Sequence, residues 1–454
     1  MYRSMLAALA VTATLLTAAP ATAQPATGTV DFSHRLQSID GFGFSQAFQR
    51  ASLIHGAQGL TPEHGREVLD LLLSTRTGAG LSILRLGIGS STDTVYDHMP
   101  TIEPTDPGGP DATPTYVWDG DDGGQVWLAQ EARAYGVKRF YADAWSAPAF
   151  MKDNGSDTNG GTLLPEWRPA YAAYLRQYAA FYAQEGIRIT DLGFTNEPDL
   201  ATSYASMRFT PDQAVAMVKA LGPALHGTGI KIACCDAAGW DQQAPFSTAI
   251  EADPVADHYV ATHTGHPYVS DSTYPLPTDN PVWMSEWSPN GSTWNEAWDD
   301  GSAYDGISVA QQIDRTLTDA GASAYVYWFG ASLGATRGLI QLDGADYHVS
   351  KRLWALAAYS RFIRPGAVRV AADAADPAVQ VSAFRNHDGS RVIELLNTGT
   401  DAVSSTYAVG DSGHGSVYLT DGTHSVARVG AATPRGGRLA VQLPARSLTT
   451  VVLR

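Results

Sequence analysis

The chain has 454 residues, 44% of them apolar, enough for one large domain with its own core and a smaller companion. A formal net charge of −16 repels phosphate backbones and argues against a nucleic-acid partner. The two cysteines, Cys234 and Cys235, are neighbours, which excludes a disulfide framework and leaves zinc without the second pair of ligands it needs.

Met1 to Gln24 reads as a targeting segment. Arg3 precedes the apolar stretch Met5–Ala19, and Ala21-Thr22-Ala23 is a small-residue cleavage signal, so cleavage after Ala23 (1–23 as signal peptide) and export are expected. The stretch is too short for a confident membrane span, and no membrane partner is expected. Residues 24–39 contain an alternating stretch, Gly28–Arg35, expected to pair with the C-terminal sheet.

From Asp40 onward, short apolar runs alternate with amphipathic stretches. The runs are Gly41–Phe44, Ser82–Ile88, Arg139–Trp145, Asp191–Asn196, Lys231–Asp236, Tyr259–His266, Val282–Glu286 and Ala324–Phe329. Helices are expected at Pro62–Ser74, Gln125–Tyr135, Pro169–Glu185, Pro211–Leu225, Val309–Ala320 and Lys351–Phe362, with only a weak signal after the fifth run. Eight apolar runs interleaved with helices predict an α/β fold, a (β/α)8 TIM barrel over residues 40–366. The acidic loop Trp118–Gly124 has Gly123 where a calcium loop needs a ligand, so it reads as a solvated loop before the helix at Gln125. Cys234 and Cys235 read as two small packing residues on the fifth strand, with a strained bond between them as the alternative.

Arg364-Pro365-Gly366 stops the last helix. Beyond it the period changes to two in Val379–Phe384, Arg391–Leu396 and Arg438–Leu443, with turn signals at Asn386–Gly389 and Asp421-Gly422. Residues 367–454 are therefore expected to form an antiparallel β-sandwich. Its aromatics after Val370 are Phe384, Tyr407 and Tyr418 only, too few for a binding row, so a buttress is expected.

Two glutamates stand out. Glu197, in Thr195-Asn196-Glu197-Pro198, and Glu286, in Trp283-Met284-Ser285-Glu286-Trp287, each follow a buried apolar run. At the ends of barrel strands four and seven they would face each other across the mouth. Two carboxyl groups so placed can cleave a glycosidic bond, one protonating the leaving oxygen and the other attacking the anomeric carbon or activating water. Asn196 is placed to hold a sugar 2-hydroxyl. Arg85, a cation inside strand two, would lower a neighbouring carboxylate pKa, with a structural ion pair as the alternative. Trp145 and Trp328, ending strands three and eight, offer aromatic faces for pyranose rings or, alternatively, core packing.

Asn196-Glu197-Pro198, Ser285-Glu286, Tyr141–Pro148 and Asp40–Gly43 resemble glycoside hydrolase family 30 from about Val30 to the C-terminus. Ser45–Ala51, Ile102–Thr105, Val117–Asp119, Met151-Lys152 and Cys234–Asp236 are similar to its mainly fungal, xylan-active branch. The resemblance implies a retaining hydrolase with Glu197 as acid/base and Glu286 as nucleophile. It implies that His266-Pro267-Tyr268 supplies Tyr268 as a partner of Glu286, although His263 offers a second register. It also implies that Trp328 floors the subsite of the cleaved sugar and that Arg50 lies near a glucuronic acid branch. Arg337 is an alternative reader of that acid, as the family's bacterial glucuronoxylanases use a loop after strand eight. The expected activity is cleavage of β-1,4-xylan, preferably glucuronoxylan, by a secreted monomer with no cofactor and no metal. The alternatives are a β-1,6-galactanase or β-1,6-glucanase of the same family, or a non-catalytic carbohydrate-binding protein.

Overall fold

In the computed structural model of the chain, residues 26–291, 293–334, 338–411 and 413–454 are described. The signal peptide expected over 1–23 and the alternative reader Arg337 lie outside them. An N-terminal strand β1 (Ala26–Ser38) leads into eight parallel strands: β2 (Gly41–Ser45), β3 (Ile83–Ile88), β4 (Arg139–Ala144), β5 (Asp191–Leu192), β6 (Lys231–Ala237), β7 (Val260–Gly265), β8 (Val282–Trp287) and β9 (Ala324–Leu333). Neighbours in this order are hydrogen-bonded, and β9 pairs with both β8 and β2, which closes the ring. Every residue of β2 and β3 is buried, as a strand covered by helices outside and filled by side chains inside must be.

The outer layer comprises α1 (Arg50–Ile54), α2 (Pro62–Leu73), α3 (Gln125–Ala134), α4 (Arg168–Gln184), α5 (Pro211–Ala224), α6 (Trp240–Ala252), α7 (Pro254–Tyr259), α8 (Gly306–Thr318) and α9 (Lys351–Ser360). Local chemistry sets their starts. Thr61 caps α2 ahead of Pro62, and Thr210 and Gln213 form a reciprocal capping box on α5. The weak signal after the fifth run resolves into two helices, α6 and α7, the second of which uses Tyr259 that had read as strand. After β7 the chain has no helix; residues 266–281 form a loop instead. The fourth strand is also shorter than its apolar run, because the chain leaves the sheet at Gly193.

Two sequence expectations are corrected here. Cys234 and Cys235 are joined by a disulfide, not packed as separate thiols. The loop before α3 is not wholly solvated. Asp122 is buried and accepts hydrogen bonds from Tyr178 (2.6 Å), Tyr182 (2.7 Å) and Gln125 (2.8 Å), so it anchors the loop onto α4. Burial pushes the Asp122 carboxyl up to about 6.

After β9, β10 (Gly338–Asp343) pairs parallel to it and antiparallel to β11 (Asp346–Val349), two strands the sequence pattern did not announce. The C-terminal strands are β12 (Val368–Asp373), β13 (Val379–Arg385), β14 (Arg391–Asn397), β15 (Val403–Ala408), β16 (Gly415–Thr420), β17 (Ala427–Ala432), β18 (Arg438–Leu443) and β19 (Ser447–Leu453). They form one nine-stranded sheet with β1, in the order β17-β16-β19-β14-β13-β12-β1-β15-β18. All pairings are antiparallel except β1 with β15, which is parallel and departs from the wholly antiparallel expectation. A second apolar core, with Val370, Ile393, Leu395, Tyr407 and Leu443, fills this layer.

Helices α8 and α9 carry the contact between the two parts. Ser382 on β13 donates to Asp314 on α8 at 2.8 Å, and Arg446 makes two hydrogen bonds to Asp299 at 2.7 and 2.6 Å. A bidentate guanidinium–carboxylate pair fixes orientation as well as distance.

Candidate functional site

Arg85 organises the barrel mouth. It is wholly buried on β3, and its two terminal nitrogens reach four acceptors from three other strands and the turn after β5. Nη1 donates to Oε2 of Glu286, while Nη2 donates to Asp143 and to Oδ1 of Asn196, both at 2.7 Å, and lies 3.7 Å from Asp236. A buried guanidinium demands such partners, because an uncompensated interior charge costs several kcal/mol. Asp143, from β4, fits only because residue 193 is glycine: a Cβ there would stand 2.0 Å from its Oδ1.

Glu286 comes from β8, Glu197 from the turn after β5. Tyr268 donates to Oε1 of Glu286 at 3.0 Å, the contact expected for this register. Tyr204 donates to Oε2 of Glu197 at 2.7 Å. His266 bridges the site, with Nδ1 3.4 Å from Glu197 Oε1 and Nε2 3.3 Å from Asp236 Oδ1. His263, the other register, is turned away toward Ser247 and Glu251. One ligand atom from each of Glu197, His266 and Glu286 lies within 4.8 Å of the others. This is the one such group among the described residues close enough to hold a metal ion. Tyr204 already donates to Glu197, and Tyr268 and Arg85 donate to Glu286, so both carboxylates are engaged by protein donors.

Burial opposes the charge on His266, but Glu286, Asp236 and Glu197 outweigh it and hold its pKa up at about 10. Burial likewise works against ionised Asp236, yet Arg85 and His266 keep it low. Burial and the charge of Asp236 push Asp143 well up, against the pull of Arg85. The two glutamates titrate as a pair. Burial and the charge of Glu197 raise Glu286 against His266 and Arg85; for Glu197 burial is outweighed by His266 and Tyr204, which bring it down. His266 thus carries its proton next to Glu197.

The cleft above these groups has a volume of about 850 Å³, ordinary for a ligand site. Trp145 and Trp328 form its apolar floor, 5.7 Å apart, with Phe48 at 5.3 Å from the first and 6.0 Å from the second. Arg85 lies 4.5 Å under the Trp145 ring, so the tryptophans serve both core and cleft. Arg50 reaches the cleft wall from α1. Its guanidinium pairs with Asp97 and donates to Phe48 O at 2.7 Å, between the rings of Tyr96 and Phe329. It therefore meets the cleft already engaged with an acid.

Sequence reasoning missed Tyr204, Asp143 and Asp236. The two aspartates could have been found: acids within buried strands need a counter-charge, and Arg85 is a cation within another buried strand. Tyr204, exposed on an irregular loop, carried no signal.

A closed barrel with paired buried acids at the mouth and an attached β-sandwich is the architecture of a class of glycoside hydrolases. Residues 26–274 match the model of O-glycosyl hydrolase family 30, and residues 366–451 match the glycosyl hydrolase family 30 beta sandwich domain. The chain belongs to glycoside hydrolase family 30. It is similar to the catalytic domain of the family 30 xylanase C from Talaromyces cellulolyticus (TM-score 0.89, 39% identity, 94% of this chain and 100% of that one). It is also similar to the family 30 subfamily 8 xylanase Xyn30A from Clostridium acetobutylicum (TM-score 0.75, 26% identity, 94% and 99%). Over 348 residues it is 26% identical to glucuronoxylanase XynC of Bacillus subtilis strain 168, covering 72% of this chain and 77% of that protein. No helix among the described residues is long and apolar enough to cross a membrane.

Proposed function

We propose that the protein is an exported, retaining β-1,4-xylanase that prefers glucuronoxylan, with Glu286 as nucleophile and Glu197 as acid/base. The observation that carries this reading is the approach of the two carboxylates, an oxygen of each within 4.8 Å of the other. Retaining enzymes hold their carboxyl groups about 5–5.5 Å apart, whereas inverting ones leave roughly 6.5–9.5 Å for a water. The names of the xylan-active relatives support the polymer, and Arg3 through Ala23 supports export.

In this mechanism Glu286, held by Arg85 and Tyr268, attacks the anomeric carbon. Glu197 gives its proton to the leaving oxygen, then as a carboxylate takes one from the water that frees the glycosyl-enzyme. His266, charged and 3.4 Å from Glu197, acts on that carboxyl by lowering its proton affinity. Asn196 has its oxygen on Arg85, which leaves its amide nitrogen to reach the 2-hydroxyl. Arg50 would read a glucuronosyl carboxylate by exchanging Asp97 for it.

Incubation with glucuronoxylan, unbranched xylan, β-1,6-glucan and β-1,6-galactan, with products identified by mass and the first-formed anomer by NMR, tests the reading. Xylo-oligosaccharides released with the β-anomer first are expected. Cleavage confined to β-1,6 linkages, or the α-anomer first, would sink it.

A further inference from the structure

A second groove, about 570 Å³ in volume, runs along α8 between the barrel and the C-terminal sheet. Its existence follows from the missing helix after β7, since the loop over 266–281 leaves one flank of α8 uncovered. Val309, Ile313 and Leu317 face the core, while Ser308, Gln311 and Arg315 follow one another along the uncovered flank at helical spacing. From Ser308 to Asp319 that flank is roughly 16 Å long at 1.5 Å per residue. Gln380 of β13 and Ala374, in the turn after β12, form the facing wall. Trp287 and Ala303 line this groove and also the catalytic cleft, so the two meet at the rim, directly after Glu286.

We propose that the groove is a distal binding site for the polysaccharide chain, continuous with the catalytic cleft; the inference rests on the xylanase reading. Arg315 and Gln380 face each other across it, from α8 and from β13. Asp271, 3.5 Å from Arg315, offsets the guanidinium charge, so the groove favours a neutral hydroxylated chain over an anion. The remaining walls combine amides and hydroxyls, which suit sugar hydroxyls, with the carboxylates of Asp314 and Asp319 and the apolar Val379 and Val381, and Trp287 offers a ring face at the junction. Bound there, a long chain is held at a second point while the scissile bond lies over Glu286, which raises its effective concentration in the cleft.

The test compares kcat/KM on long unbranched xylan with kcat/KM on short xylo-oligosaccharides for the wild type, Arg315→Ala and Ala374→Trp. The first removes a donor; the second fills the groove from an exposed turn. The long-to-short ratio should fall about three- to tenfold in both, the loss of one or two hydrogen bonds. Affinity electrophoresis in xylan, with Glu286→Gln added to each variant, should show matching loss of retention. A ratio equal to that of the wild type in both variants would overturn the distal site while leaving the xylanase reading intact. Absence of turnover by the wild type on every xylan would overturn the reading and the site together.

Discussion

The backbone N–H of Glu197 donates to the carbonyl oxygen of Asp236 at 2.8 Å, and both residues hold left-handed backbone conformations, with φ of 46° and 56°. Non-glycine residues adopt this region at a cost and cluster in it at active sites. The bond ties the turn that presents Glu197 to the end of β6. Asp236 in turn accepts from Tyr141 and Ser285 and lies beside His266. The position of one glutamate is thus fixed by a residue of a different strand.

Glu197→Gln and Glu286→Gln should fail differently. Loss of a general acid costs about 10²- to 10⁴-fold on a polymer, but little on an aryl glycoside whose leaving group needs no proton. Glu286→Gln should abolish turnover on both substrates. Steady-state rates on the two substrates check this, and equal loss on both by Glu197→Gln would reverse or void the assignment.

His266→Gln should move both limbs of the kcat/KM pH profile upward. His266 lowers the pKa of Glu197 and of Glu286, so its removal raises both. The acid limb needs ionised Glu286 and the alkaline limb needs protonated Glu197, so each follows its group by about one unit. A profile that only shrinks, without shifting, would remove His266 from the proton bookkeeping.

Tyr204→Phe removes a hydrogen bond that holds Glu197 down, so the alkaline limb should rise while the acid limb stays. The same pH profile reads it; movement of the acid limb instead would place Tyr204 on Glu286.

Arg50→Ala should slow glucuronoxylan cleavage about ten- to a hundredfold while sparing unbranched xylan, the weight of a charge-assisted bidentate contact. Parallel assays on the two polymers decide it, and equal slowing would count against the role.

Stability should fall as pH rises from about 4 through about 6, in part because of Asp314. Burial lifts its folded pKa from 3.8 to about 6, so the native state binds its proton more tightly than the unfolded chain does. A raised carboxyl pKa therefore costs stability at pH above both values, on the order of 2–3 kcal/mol. Asp314→Asn should keep the contact with Ser382 and flatten this part of the curve. Urea unfolding at pH 4.5 and 7.5 measures it; an unchanged slope would mean the group is neutralised in some other way.

The sequence by itself determined the barrel, the approximate places of its eight strands, the change to period two after Gly366 and the two glutamates. Alternation of apolar and polar residues is a local property, and a carboxylate after a buried run leaves few alternatives. Tertiary structure decided the rest. The absence of a helix after β7, the parallel pairing of β1 with β15 and the burial of Asp122 depend on which distant segments meet. So do the partners of Arg85, drawn from β4, β6, β8 and the turn after β5: a charge inside a protein is matched by proximity in space, and periodicity along the chain carries no record of that.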